Sequence, residues 1–242
     1  MEVLEDLVAR DRRDDSTALR AAGSGRTYDY RRFCTTAWKV GNLLRHHGVR
    51  RGDVVAVADE PAPEPVLTLY GAACLGAVVR FGDRPGRMGA ARAVVVPRAD
   101  LDVEAVAADT KPVCYDGPHE DPGVGHLEGD VWSENPTVPP GDVAAGDPLL
   151  EADRTAYTHR RVLEAAASVV DHHGIGTDTT VAIDPAAPLT RPAIVAAGVV
   201  APILAGGTVA NGPRADADLV VGGPNGDIDI AAIFESTDRP AT

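Results

Sequence analysis

The stretch that most constrains this chain runs from Thr27 to Val79: TYDYRRFCTTAWKVGNLLRHHGVRRGDVVAVADEPAPEPVLTLYGAACLGAVV. Phe33, Ala37, Val40 and Leu44 recur at intervals of four, three and four, which puts them on one face of a helix. Asp29 stands where it can cap the start. Gly48 follows the last periodic residue, where glycine takes a left-handed φ without a Cβ penalty and Val49 folds back on the last turn. Gly52-Asp53 turns the chain into Val54 to Ala58, a run too short for a helix and β-branched enough for a buried strand. Pro61, Pro63 and Pro65 break the register. A second helix is expected from roughly Glu64 to Leu75, stopped by Gly76, with Ala77 to Val79 entering another strand.

The same order returns later in the chain. LLRHHGVRRGDVVAV, from Leu43, is echoed by VVDHHGIGTDTTVAI, from Val169. Each copy leads into a proline-rich bend, an apolar helix and a Gly-led strand, the second using Ala193 to Leu204 and Gly207 to Ala210. Such self-similarity predicts two related α/β halves; chance recurrence is the competing reading, since any two α/β units share helix, glycine, strand order. The expected division is a first α/β half over residues 1–117, a Pro/Gly-rich acidic loop over 118–147, and a second, partial α/β half over 148–242. Smaller elements complete it: a short helix over Leu4 to Arg10, a strand pair within Ala18 to Tyr30 turning at Gly23-Ser24-Gly25, strands at Ala93 to Val96 and Pro112 to Tyr115, and a helix over Val103 to Ala108.

The series of helix, GV-x-x-GD, strand, proline-rich bend, Glu, apolar helix and Gly-Ala-Val resembles the start of the AMP-forming acyl-adenylating enzymes: acyl-CoA synthetases, luciferases and the adenylation domains of peptide synthetases. Thr27-Tyr28, Gly48-Val49, Gly52-Asp53, Glu64, Gly71 and Gly76-Ala77-Val78 carry the likeness. The resemblance implies an α/β fold of two related, mainly parallel sheets with packed helices, like the N-terminal domain of acyl-CoA synthetases. It also implies where the chemistry should lie. In the family a loop of the form TSGTTGxPKG sits between a strand and a helix, and its backbone N–H groups wrap ATP phosphates.

Here that place is held by GDPLLEADRTAYTHRRVLEAAASVV, with no glycine between Gly146 and Gly174. Glu151 and Asp153 stand where a triphosphate would lie; two like charges about 4 Å apart at an effective dielectric near 20 repel by about 4 kcal/mol. Thr158 and His159 match the residues that come after the family's loop, and with Arg154 and Arg160 they form the candidate remnant of a nucleotide site. Ordinary surface pairing with Glu151, Asp153 and Glu164 is the competing reading for the arginines. The family's YGxTE segment, hinge and catalytic lysine do not occur before Thr242. The expectation is therefore a shortened, catalytically degenerate acyl-CoA synthetase-like protein that binds a ligand or a partner. Two alternatives are a subunit of a split AMP-forming acid–thiol ligase and a structural or regulatory subunit of an intact synthetase. No catalytic residue and no cofactor is expected, with ATP, AMP or CoA binding only if the remnant site survives. A small acyl or nucleotide ligand and a homo-oligomer or partner protein are the expected company, docked through the helices bearing Ala193 to Leu204 or a sheet edge near Gly207 to Ala210.

Charge narrows the partners further. The net charge of −13 comes from 25 Asp and 11 Glu against 21 Arg and only two Lys, a make-up that fits a halophile's cytosolic protein or an acidic mesophile protein from a GC-rich genome. Either way nucleic acid is disfavoured, because the surface field repels phosphates. Cys34, Cys74 and Cys114 include no CxxC pair, so core thiols are expected and neither a disulfide framework nor a zinc site. The histidine pairs His46-His47 and His172-His173 end helices, where the macrodipole favours imidazolium by about 0.3–1 kcal/mol, and adjacent helix residues do not face one metal site. His119 and His126 lie in the loop without further ligands at metal spacing. The start, MEVLEDLVARDRRDD, has no apolar export segment and no run reaches membrane-spanning length, so the expected location is the cytoplasm, with no membrane role.

Overall fold

The computed structural model describes residues 1–21, 23–60, 62–82, 90–211 and 217–234; Pro61 and the last eight residues lie outside the described residues. The first repeat opens with a hairpin, β1 (Thr17–Ala21) and β2 (Arg26–Asp29), followed by α1 (Tyr30–His46). Asp29 caps α1, its carboxylate accepting the Arg32 N–H at 2.6 Å, an interaction worth about 1 kcal/mol. At the other end Gly48 has φ +89°. Val49 N–H then reaches the Leu44 carbonyl and Gly48 N–H the Arg45 carbonyl, each at 3.0 Å, the paired bonds of a glycine-closed helix end. β3 (Val54–Ala58), α2 (Pro63–Ala73) and β4 (Val78–Gly82) complete the unit. Pro63 does not break the helix; it sits at the first turn, where its missing N–H costs no bond.

The chain continues through β5 (Ala93–Pro97), β6 (Lys111–Tyr115), β7 (Gly125–His126) and the one-turn α3 (Leu127–Val131). The helix expected over Val103 to Ala108 is only a 3-10 turn, Val103–Ala105. Leu4 to Arg10 likewise forms two 3-10 turns, Leu4–Val8 and Arg10–Arg12. Segments this short do not hold as isolated helices; Leu4–Val8 is fixed by burying Leu4, Leu7 and Val8, whereas the other two turns bury no residue.

The second repeat mirrors the first: hairpin β8 (Pro148–Ala152) and β9 (Thr155–Thr158), α4 (His159–His173), β10 (Thr180–Ile183), a helical segment and β11 (Thr208–Asn211). Thr158 caps α4 as Asp29 caps α1, and Gly174 closes it at φ +63°. The helical segment joins α5 (Pro192–Ile194), a π-helical stretch (Val195–Val200) and α6 (Ala201–Ala205). Pro202 cannot donate, and its ring would crowd the carbonyl four residues back, so the widened turns ahead of it have a local cause. β12 (Leu219–Val221) ends the described strands.

The two sheets divide the chain differently from its two halves. One has the order β12-β10-β11-β1-β2, the other β7-β6-β5-β3-β4-β8-β9. Both are parallel except for the hairpins β1–β2 and β8–β9. Each repeat gives its hairpin to the other: β1 lies parallel on β11 with Leu19 opposite Val209, and β8 parallel on β4 with Leu150 opposite Val79. The register slip inside each hairpin falls at the same place, between Thr17 and Leu19 and between Pro148 and Leu150. The echo in the sequence is thus a structural repeat with exchanged hairpins. The segment 118–147, expected as a surface loop, contributes an edge strand and α3.

All eleven residues of α2 are buried, as are Ile194 to Ile203; both helices are buried all round and apolar except for Glu64 and Thr68 of α2. They touch where the Tyr70 hydroxyl donates to the Val199 carbonyl at 3.4 Å. α1 crosses α2 glycine on glycine: a Cβ on Gly71 would stand 2.8 Å from Gly41 N and 2.9 Å from the Ala37 carbonyl oxygen. This placement corrects the docking surfaces expected from the sequence. Ala193 to Leu204 belongs mostly to the core, and β11 is an interior strand between β10 and β1. An apolar helix signals burial but not the partner that buries it.

Candidate functional site

The region expected to hold phosphates is a tight hairpin. β8 pairs with β9 up to Ala152 opposite Thr155, leaving Asp153 and Arg154 alone at the tip with φ of +49° and +64°. Two consecutive left-handed residues make the turn that suits a two-residue hairpin, and Asp is among the residues that tolerate it. Glu151, one step down the strand, pairs with Arg80 of β4 at 2.8 Å.

The four sequence-expected residues have separate tasks around it. Arg154 is exposed at the tip. Thr158 accepts the Arg161 N–H at 3.2 Å as a helix cap. Arg160 is exposed and borders a shallow depression with Met1, Glu2 and Glu164. His159 is fully buried, and its Nδ1 accepts the backbone N–H of Leu4 at 3.0 Å. Burial drops its pKa to about 4, against a weaker upward pull from Asp147 and Asp6. It holds the N-terminal turn on the core, as Tyr30, its counterpart in the first repeat, donates to the Gly207 carbonyl at 2.8 Å. Arg161 lies over the rings of Tyr157 and Phe234, at 5.0 and 5.4 Å from their centroids.

Three of the remaining histidines have polar partners nearby. His46 lies 3.6 Å from Glu134, and His126 lies 3.1 Å from Glu128. His119 accepts the Asp121 N–H at 3.0 Å. Burial lowers the pKa of His47 to about 4, helped by Lys111 and His46. Among the described residues no group of three or more His, Cys, Asp or Glu could hold a metal ion. Cys34, Cys74 and Cys114 are buried and unpaired with one another.

A more coherent arrangement lies at the carboxyl ends of β3, β10 and β12. Asp59, just past β3, accepts the N–H groups of Leu189 and Thr190, which ties one sheet to the loop leaving the other. Asp184, just past β10, turns its own loop by accepting the Ala186 N–H at 2.8 Å. After β12, Gly222 and Gly223 have φ of +81° and +71°, and a Cβ on either would stand within 2.5 Å of Ala187 or Asp184; only glycine permits this approach. Asp227 closes the turn by accepting the Val220 N–H at 2.8 Å. A cavity of about 530 Å³ opens here, lined by Arg191, the glycine turn and Ile228 to Ile230. Tyr157 and Phe234, with ring centroids 5.0 Å apart, join the segment beyond the turn to β9.

Open α/β sheets bind ligands in the crevice beyond the carboxyl ends of their strands, and this volume suits a small molecule. The arrangement offers one guanidinium, two carboxylates (Asp227 and Asp229), backbone groups of a glycine turn and the side chains of Ile194, Ile228 and Ile230. At the end of β11 neither the oxygen nor the nitrogen of the buried Asn211 amide is hydrogen-bonded among the described residues. From the residues alone GGPNGD reads as a turn without a helix to follow, and Arg191 as one arginine among many; their shared place depends on the parallel order of β10 and β12.

Residues 7–83 match the family model described as AMP-binding enzyme. No curated protein matches this sequence. Among solved structures, the anthranilate CoA ligase AuaEII in complex with anthranoyl-AMP superposes with a TM-score of 0.75 at 19% identity, over 88% of this chain and 45% of that one. The N-terminal domain of FACL13 from Mycobacterium tuberculosis gives 0.69 at 19% identity, over 89% and 58%. The Brucella canis acyl-CoA synthetase gives 0.67 at 22%, over 86% and 43%. The chain spans about half the length of these proteins.

Proposed function

Starting from an AMP-binding family match over residues 7–83 and a fold of two mostly parallel sheets shared with the N-terminal part of AMP-forming ligases, we propose that this chain is an acyl-CoA synthetase-like binding protein that does not itself activate acids with ATP. The observation that carries the proposal is the Asp153-Arg154 turn. A phosphate cradle needs several backbone N–H groups converging on one point, which glycine-rich loops provide. A two-residue hairpin tip flanked by the Arg80–Glu151 pair offers no such convergence. The ligand, an acyl or nucleotide fragment, sits in the crevice bounded by Arg191 and the Gly222 to Asp227 turn.

Two measurements on the purified protein in molar salt test this. Acid-dependent exchange of pyrophosphate into ATP should be absent, and its detection overturns the reading. Calorimetry with ATP–Mg²⁺, AMP and CoA should show no enhancement of affinity from the added phosphates of ATP over AMP, and Arg191→Gln should weaken whichever ligand binds. A preference for ATP that is lost on Arg154→Gln would instead place a phosphate site at the hairpin.

A further inference from the structure

A second cavity, of about 420 Å³, lies between α1, β2 and α3 and shares no lining residue with the crevice. Its floor is apolar, formed by Val40, Leu67, Leu127 and Val131, while Arg13, Arg31, Arg32 and Lys39 stand around it. In a chain with a net charge of −13 and only two lysines, this is a local reversal of sign.

The acids that line the same cavity are already engaged. Glu64, buried, is held through both oxygens by Arg26. Asp29 caps α1, and Glu128 accepts the Asp116 N–H at 2.8 Å through Oε1, while its Oε2 lies 3.1 Å from His126 Nε2 and is hydrogen-bonded to none of the described residues. The cations are not neutralised in this way. Arg31 donates to the exposed Asp15 through Nε and Nη2, at 3.2 and 3.1 Å. Arg32 lies over the Tyr28 ring at 4.4 Å and donates to the Thr27 carbonyl at 3.2 Å, Arg13 lies over Trp38 at 5.3 Å, and Lys39 donates to the Trp132 carbonyl at 3.1 Å. The buried Nε of Arg13 has no hydrogen-bond partner among the described residues. Trp132, which closes the rim, is 81% exposed although indole is among the costliest surfaces to leave in water.

We propose that this cavity binds an aromatic carboxylate. Its ring lies between Trp132 and the apolar floor, and its carboxylate meets Arg32 and Lys39. A flat ring fits an exposed indole platform, and a carboxylate gains charge-assisted hydrogen bonds from groups that now meet rings and neutral backbone carbonyls.

The test is titration calorimetry of the intact chain with 2-naphthoate, with its neutral counterpart 2-naphthalenemethanol, and with inorganic phosphate. Saturable one-to-one binding of naphthoate is expected, with the alcohol about tenfold weaker or worse and phosphate undetectable. Arg32→Gln, Lys39→Gln and Trp132→Ala should each weaken naphthoate by about tenfold, whereas Arg191→Gln in the other cavity should leave it unchanged. No saturable binding, equal affinity for the alcohol, phosphate binding as tight as naphthoate, or a loss on Arg191→Gln would each overturn the proposal. The comparison of the three probes uses the unaltered protein, so a variant that fails to fold leaves the test intact.

Discussion

Lowering the pH should loosen the N-terminal turn through one buried imidazole. His159 is fully buried, accepts the Leu4 N–H through Nδ1, and has no hydrogen-bond partner at Nε2 among the described residues. A proton on Nδ1 would abolish the bond to Leu4 and bury a charge. Unfolded, the imidazole has a pKa of about 6.5; in the fold burial drops it to about 4. The folded pKa is the lower one, so protons bind preferentially to the unfolded chain. The stabilisation is complete above about 6.5, is lost as the pH falls from there towards 4, and for this group changes no further below that. At 1.36 kcal/mol per pH unit the loss is about 3 kcal/mol, a large share of a typical net stability of about 5–15 kcal/mol. Urea unfolding at constant salt, followed by tryptophan fluorescence, measures it. Trp38 is buried and donates to the Val8 carbonyl at 2.9 Å, so its emission also reports the segment that Leu4 anchors. The control is His159→Asn, whose side-chain oxygen can accept the same bond but does not titrate. It should start less stable, because a smaller side chain leaves a cavity, yet lose about 3 kcal/mol less across the window. His47, also near 4, and the carboxylates act in both proteins and cancel. Parallel stability curves for the two proteins would refute the assignment.

Three further outcomes are expected. Gly71→Ala should lower the melting temperature, because the new Cβ meets backbone atoms of α1; overpacking costs about 1–3 kcal/mol and outweighs a helix-propensity gain of about 1 kcal/mol. Gly146→Ala, with nothing within 4 Å of the new Cβ, should stay within about 0.5 kcal/mol of the parent, and equal melting of all three proteins would show that the helix crossing is not tight. Glu64→Ala should cost about 3 kcal/mol by chemical denaturation, the low end for breaking a buried pair, since Arg26 is 30% exposed; a change under about 0.5 kcal/mol would mean that the pair is solvent-screened. The urea midpoint should rise from low to molar KCl, because the charge of −13 repels itself when unscreened, and a flat response would contradict that account.

What the sequence determined by itself was local. The face of α1, its Asp29 start and Gly48 end, the strand Val54–Ala58 and the echo at Val169 all follow from side-chain period and from glycine's freedom at positive φ, which operate within a few residues. The likeness to the AMP-forming enzymes was legible for the same reason, since its markers are turn and cap residues that keep their spacing. The missing glycines before Thr158 were visible too, although only the pairing of Ala152 with Thr155 shows that a two-residue turn stands there. The tertiary structure decided the rest. Hydrophobic period says which face is buried and not against what, so nothing near β1 announces its pairing with β11, and nothing near β8 its pairing with β4. The same limit hid the burial of Ala193 to Leu204 and the meeting of His159 with Leu4, 155 positions away. Both cavities belong to this second kind: Arg191 and the glycine turn line one cavity because β10 and β12 run side by side, and Arg32 and Trp132 line the other because α3 packs on α1.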